Sequence, residues 1–494
     1  MLSPATVPSI RGVRSRGVDG TQLAATVAAA TAALLVGASA ATGRGSMVGG
    51  ALVAVIFGGI AIATYFDDPL KAFVGLWLAI VFTSPLSAAF GYQSAAGESI
   101  RQVGTLLVLG FVLLSVVRTL LSEEPWPPLR YVAPAAGVAV FGLISSVAQG
   151  VTPSVTLVGA VLGLKLWIMV LVTLMLPWRG GDGNRIYRAL MAVGVLVAVL
   201  GLVDYVTHGA VSQVFHTSNY NVEAGAYRSE AAHSIFPTPG EYSLFMSLLF
   251  ALSFSRFASQ ARRQDLLLTA LYAVSIILSL RLKGFLSLAV VVAIVGLVQG
   301  TTSARRAVVA LLLGSVLLAS GYYFEKGVIE KQVDTYTSNE NTARSRLYRT
   351  GEQIAATNFP IGAGFGRFAS YPSRTTYSPV YYEYRLNDVY GLSPEYPAFI
   401  DDTSWPSVIG ETGYGGFAFY SAGLAALLWA LAARLRKAGR KGGWLPLAAI
   451  CAVAVTLVDS LGNPTLFSWL ATVTLALILG PALCRGVGPG EEGG

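Results

Sequence analysis

The chain has 494 residues, of which 54% are hydrophobic and only 12% charged, and its mean hydropathy is +0.61. A soluble domain carries roughly twice that charged share to cover its surface, so composition excludes a soluble globular enzyme and a disordered chain alike. The net charge of +8 has to be read through its placement along the chain, and nothing in the composition calls for a nucleic-acid partner.

A bilayer core needs about 20 apolar residues per helix. About fourteen such runs follow one another, near 22–42, 46–66, 70–90, 102–121, 131–149, 154–177, 187–207, 239–256, 265–281, 284–300, 306–323, 405–433, 443–460 and 464–484. The predicted fold class is therefore an all-α polytopic membrane protein. Its 54 glycines suit close packing of membrane helices. The organisation expected is a cytoplasmic tail over 1–21 and a membrane domain over 22–323 with about eleven helices and an outer loop at 208–238. A long extracytoplasmic segment of roughly 80 residues follows over 324–404, then about three helices over 405–484 and a cytoplasmic tail over 485–494. Cys451 and Cys484 sit in apolar runs and provide neither a disulfide framework nor a metal spacing.

Orientation follows from the distribution of Lys and Arg over short loops. With the basic N-terminus (Arg11, Arg14, Arg16) in the cytoplasm, 20 of the 34 basic residues fall on the cytoplasmic side. These include Arg256, Arg262 and Arg263 after the 239–256 run and the cluster from Arg434 to Lys441. Short outer segments keep only Arg44, Arg101, Arg228, Arg281 and Lys283, while Lys165 lies within a span. The basic N-terminus precedes a full-length span, which predicts an uncleaved first helix and no signal peptide.

Function is expected in the two long outer segments, because extended loops between membrane helices carry it. The first holds Arg228, His233 and Glu241, with His208 and His216, and shows no zinc spacing. In the second, Asn341 can cap a helix over about Thr342–Thr357 that places Arg346 and Arg349 on one face, and Arg344 with Tyr348 on another. Pro360 stops that helix, and Gly362, Gly364 and Gly366 permit a tight turn close to a ligand or a neighbouring helix. No strand–helix unit follows, so these glycines are not a dinucleotide loop. Asp401 and Asp402 are adjacent carboxylates, a weak metal signal on spacing alone. Glu411 lies nine residues beyond Asp402, about 13 Å deeper if helical. An acid inside a span faces a cavity or a partner, so Glu411 is either functional or a structural ion pair. Arg281 and Lys283 flank a very short turn, as snorkelling cations or as a phosphate clamp.

This arrangement resembles the bacterial O-antigen ligase and polymerase superfamily of membrane glycosyltransferases. Arg344-Ser345-Arg346-Leu347-Tyr348, followed by Asn358 to Gly366, looks like the family's arginine-bearing helix and its P-hydrophobic-G-x-G-x-G turn. Asp402-Thr403 with Gly413-Tyr414-Gly415-Gly416 is similar to the ligase pattern H-N-x9-G-x-x-G, with Asp402 where ligases carry His and Thr403 where they carry Asn. That departure leans toward the polymerase branch. Arg228 through Pro239-Gly240-Glu241 resembles the family's outer arginine and proline-led span, and Leu282-Lys283-Gly284 its S-R-G turn.

The resemblance implies a glycan donor on polyprenyl pyrophosphate, an acceptor glycan whose hydroxyl attacks the anomeric carbon, and no cofactor or metal. Arg228, Arg281, Lys283, Arg344, Arg346 and Arg349 are then the pyrophosphate candidates, and Asp402, Glu411 and His233, in that order, the candidates for the base. Membrane lipid is an implied partner, with other polysaccharide export proteins as a further class. Transfer to a lipid or protein acceptor by a ligase is the alternative within the class. A lipid-linked-sugar transporter is the alternative outside it, and it predicts repeated halves and broken helices.

Overall fold

The computed structural model describes residues 65, 68–89, 95–122, 126–214, 221–224, 227–299 and 342–483. The chain divides into two compact units, Met1–Leu76 and Trp77–Gly494. The first contributes Tyr65 and residues 68–76 to the described part; the helix bundle and the candidate site lie in the second. The described helices are α1 (Pro69–Ala89), α2 (Ala95–Leu121), α3 (Leu129–Ala148), α4 (Pro153–Gly163), α5 (Lys165–Met175), α6 (Asp182–Val206) and the short α7 (Ala210–Val214). They continue with α8 (Pro239–Gln260), α9 (Arg263–Leu278), α10 (Leu282–Gln299), α11 (Ala343–Thr357), α12 (Tyr371–Thr375) and α13 (Val380–Glu383). The last three are α14 (Trp405–Gly442), α15 (Trp444–Ser460) and α16 (Trp469–Leu483).

Seven of the described helices are long and apolar enough to cross a membrane, and the bent pair α4–α5 would make an eighth. The expected runs at 22–42 and 306–323 lie outside the described residues, as does all of the 46–66 run except Tyr65. The run at 154–177 is not one straight helix: α4 and α5 meet at a 59° bend. The runs at 265–281, 443–460 and 464–484 form helices of 16, 17 and 15 residues. A second departure from an all-α reading is a two-stranded antiparallel ribbon, Asn221–Ala224 with Tyr227–Glu230, in which Glu223 is paired with Arg228.

The bundle is organised around α8 and α16. The apolar window of α8 is 94% buried, and every residue of α16 is buried, so neither helix shows the one-sided pattern of a surface helix. Helix α8 starts where Thr238 Oγ1 accepts the Glu241 amide (3.2 Å) with Pro239 at the first helical position, and ends at Ala261 in the left-handed region. It packs against α9, α10 and α15, while α14 packs against α3 and α11.

Residues 342–404 form a compact segment with their own apolar core of Leu347, Ile354, Phe368, Tyr381, Leu386 and Ile400. Helix α11 is capped by Thr342, whose Oγ1 accepts the Ser345 amide (3.3 Å); this corrects the expected cap at Asn341 by one position. The hydroxyl of Thr342 reaches the third residue on, which is the geometry an N-cap requires.

Candidate functional site

Four stretches far apart in sequence meet around the turn that follows α15. The carbonyls past a helix C-terminus lack helical partners, and here side chains supply them. Tyr348 Oη donates to the Leu461 carbonyl (2.9 Å) and Lys283 Nζ to that of Gly462 (2.6 Å). Ser404 Oγ donates to the carbonyl of Asn463 (2.9 Å) and Lys165 Nζ to that of Phe467 (2.7 Å). These donors come from α11, α10, the start of α14 and α5. The turn is therefore a hub that fixes the relative positions of the groups contacting it.

Around the hub lie the charged candidates. Arg344 Nε donates to Asp402 Oδ2 at 2.8 Å, and its Nη2 reaches the same oxygen. The two side chains remain 31% and 26% exposed, so this ion pair is open to a ligand. Lys283 stands within electrostatic reach of Asp459, Arg344, Asp402 and Arg281. Asp459 accepts from Asn463 Nδ2 on both oxygens (3.0 Å each) and from Thr465 Oγ1. Glu241 has Asp459 as its charged neighbour. Burial pushes the Tyr348 phenol up to about 12, with Arg344 beside it opposing, so it stays a neutral donor.

The other candidates lie elsewhere. Arg346 is half-buried with its Nε unmatched by a hydrogen-bond acceptor, and Arg349 is exposed. Arg228 sits in the second strand of the ribbon. His233 is buried beside α7: its Nδ1 meets the Phe236 carbonyl (2.8 Å), and its amide donates to Asp204 Oδ2 (3.3 Å). Asp204 also binds the hydroxyl and amide of Ser212 and the amide of Ser234. His233 is thus part of a closed polar knot.

Glu411 has another task. It is 2% exposed, and its Oε1 accepts from Ser370 Oγ (2.6 Å) and the Phe368 amide (3.1 Å). Helix α14 opens at Gly413, whose φ of 68° breaks the helical ladder. The carbonyls of Gly410 and Glu411 are taken instead by the amides of Ala363 (2.8 Å) and Gly364 (3.0 Å), and the Gly415 amide returns to the Pro360 carbonyl (2.9 Å). A Cβ on Gly362 would stand 2.5 Å from the Gly410 carbonyl oxygen, and one on Gly413 would stand 2.2 Å from the Ile361 carbonyl carbon. The turn at 360–366 is a backbone graft onto α14, completed against α3 by Ser145 and Ser146, which accept the amides of Gly362 (3.0 Å) and Phe365 (2.9 Å). Gly364 and Gly366 have φ of 93° and 78°, open to glycine at little cost.

Compared with family models and with curated proteins, the chain matches none of either. Sequence reasoning passes over Asp459 and Asn463. The signal is present, because Asp459 is an acid at the end of an apolar run, the rule that singles out Glu411.

Proposed function

We propose that this protein is a membrane glycosyltransferase that joins polyprenyl-pyrophosphate-linked oligosaccharide repeat units into a surface polysaccharide. In this reading the chain has about fourteen transmembrane helices in a bacterial inner membrane, both termini are cytoplasmic, and the 324–404 segment with the hub lies on the extracytoplasmic face. The observation that carries the reading is the convergence of Arg281, Lys283 and Arg344 with Asp402 around one hub, with Lys283 and Asp402 at the starts of α10 and α14, two helices long enough to span a bilayer. Lys283, Arg344 and Asp402 are also among the residues that carry the motif resemblance.

The chemistry needs cations where charge gathers on the departing pyrophosphate. Lys283 offers further N–H groups beyond the one given to Gly462, and Arg344 is oriented by Asp402. The acceptor hydroxyl oxygen bonds to the anomeric carbon, the bond from that carbon to the phosphate oxygen breaks, and the electron pair leaves with the lipid pyrophosphate.

The test uses the full chain in lipid nanodiscs with lipid-linked oligosaccharides extracted from its source cells. Wild type should release polyprenyl pyrophosphate and lengthen the glycan. Arg344→Ala should slow release about 10²–10³-fold, the loss that follows removal of one donor to a developing oxyanion. Full turnover in Arg344→Ala removes the clamp. Transfer to a lipid or protein acceptor is the same chemistry with another acceptor, read from the product.

The transporter reading has one observation in its favour, the broken pair α4–α5 with buried Lys165 just past the bend. It predicts movement of the donor across the bilayer with no release of pyrophosphate.

A further inference from the structure

We infer that Glu241 is the carboxylate that takes the proton from the attacking acceptor hydroxyl. The inference rests on the glycosyl-transfer reading above and names a residue that reading leaves unassigned.

A general base acts best where its carboxylate is not already committed to orienting or holding another group. Four carboxylates can be compared on that ground. Asp402 Oδ2 receives two guanidinium N–H groups of Arg344. Both oxygens of Asp459 are taken by Asn463, and one also by Thr465. Glu411 is buried and holds the glycine turn through Phe368 and Ser370. Glu241 accepts no hydrogen bond from the described residues; its backbone amide alone is engaged, by Thr238.

Its position is fixed on both sides. Before it, Gly240 faces the hub: a Cβ there would lie 3.4 Å from Asn463 Nδ2. After it, Ser243 faces Gly284, where a Cβ would lie only 2.3 Å from the serine Oγ. Glu241 on α8 is therefore held at the level of Lys283 on α10 and of Asn463 in the hub. Its carboxylate, which has Asp459 of the hub as its charged neighbour, and the Lys283 cation stand on adjacent, packed helices.

The step balances without a further reactant. The acceptor O–H proton passes to Glu241 as the oxygen bonds to the anomeric carbon, the pyrophosphate carries away the bonding pair, and Glu241 returns its proton to water once product leaves. Asp402 then acts as a positioning residue through Arg344. The two roles separate in the assay.

The experiment uses the full chain in nanodiscs with extracted lipid-linked oligosaccharides, with inorganic pyrophosphate as a competing probe of the clamp. Glu241→Gln should lower kcat by about 10²–10⁴-fold, the range for loss of a general base, with the inhibition constant of pyrophosphate unchanged. Glu241→Ala should regain at least tenfold of its lost rate on adding formate. Asp402→Asn should instead weaken pyrophosphate inhibition and gain nothing from formate. Glu241→Gln turning over within threefold of wild type overturns the inference and leaves the glycosyl-transfer reading standing. So does weakened pyrophosphate binding in Glu241→Gln together with no formate response in Glu241→Ala, which is the signature of a structural role. A wild-type chain that releases no polyprenyl pyrophosphate overturns the reading itself.

Discussion

The two ends of α8 carry charge in opposite ways. At its C-terminal end Arg256 is closed in: its guanidinium lies 4.1 Å from the Tyr187 ring centroid and 5.2 Å from that of Trp444. Its Nε is 3.8 Å from Asp265, which also accepts from Tyr187 Oη (2.6 Å). The Arg256 and Asp265 side chains are 9% and 3% exposed. About 22 Å away along the helix, Glu241 borders a hub whose Arg344–Asp402 pair is open by roughly a third. Both ends pair an arginine with an aspartate. One is packed shut by aromatic rings and leaves a ligand no approach; the other keeps further N–H groups on Lys283 and, among the described residues, a Glu241 carboxylate that accepts no hydrogen bond. Pairing alone therefore does not mark a site. What marks it is pairing that leaves valence and access.

The sharpest way to break this contrast is at the closed end. Removing one partner of a buried ion pair strands the other, at about 3–5 kcal/mol. Arg256→Ala should lower the thermal midpoint in detergent by that equivalent while turnover per folded molecule stays near wild type. A preserved midpoint with lost turnover would make the closed end functional and dissolve the distinction. At the open end Lys283→Met should do the reverse. It gives up one charge-assisted hydrogen bond to Gly462, about 1.5 kcal/mol of stability. Turnover should fall about 100-fold, since a donor to the leaving group is gone. Equal losses of stability in the two variants, with equal turnover, would show that openness carries no functional information.

The same contrast explains what was legible in the sequence. Seven apolar helices long enough to span and the arginine helix were readable because apolar run length and a short cap–stop pattern are local signals, and Ala343–Thr357 differs from its expected bounds by one residue. The break after Gly163 was not readable, since α4 and α5 are equally apolar and only Lys165 interrupts the run. The glycine stretches at 360–366 and 410–416 were visible separately, but their docking on each other depends on hydrogen bonds between segments about 50 residues apart. Glu411 shows the limit of the rule for buried acids. The rule says that such a group needs a partner, and here the partners are backbone amides and a serine of the turn. Open and closed charge look alike in sequence, because access is set by what packs over the group and not by its neighbours in the chain.

A third pair, as exposed as the one at the hub, gives the smallest effect. Asp401 Oδ1 is 3.1 Å from Arg374 Nη1, with side chains 22% and 35% exposed, and the guanidinium also lies 5.2 Å from the Tyr371 ring centroid. Burial pushes the Asp401 carboxyl above its ordinary 3.8, and Arg374 opposes this without cancelling it. The folded chain therefore holds a proton at Asp401 over a pH range in which the unfolded chain has lost it. Stability contributed by this group must fall as pH rises from about 4 through the raised value, and then level off. Asp401→Asn removes that slope. Its thermal midpoint should equal wild type below pH 4 and match or slightly exceed it at pH 7, by no more than about 1 kcal/mol, because Arg374 stays hydrated when its partner is gone. Were the variant clearly less stable at pH 7, the ion pair would outweigh the burial, and this open pair would belong with the closed end of α8 in its energetics despite its exposure.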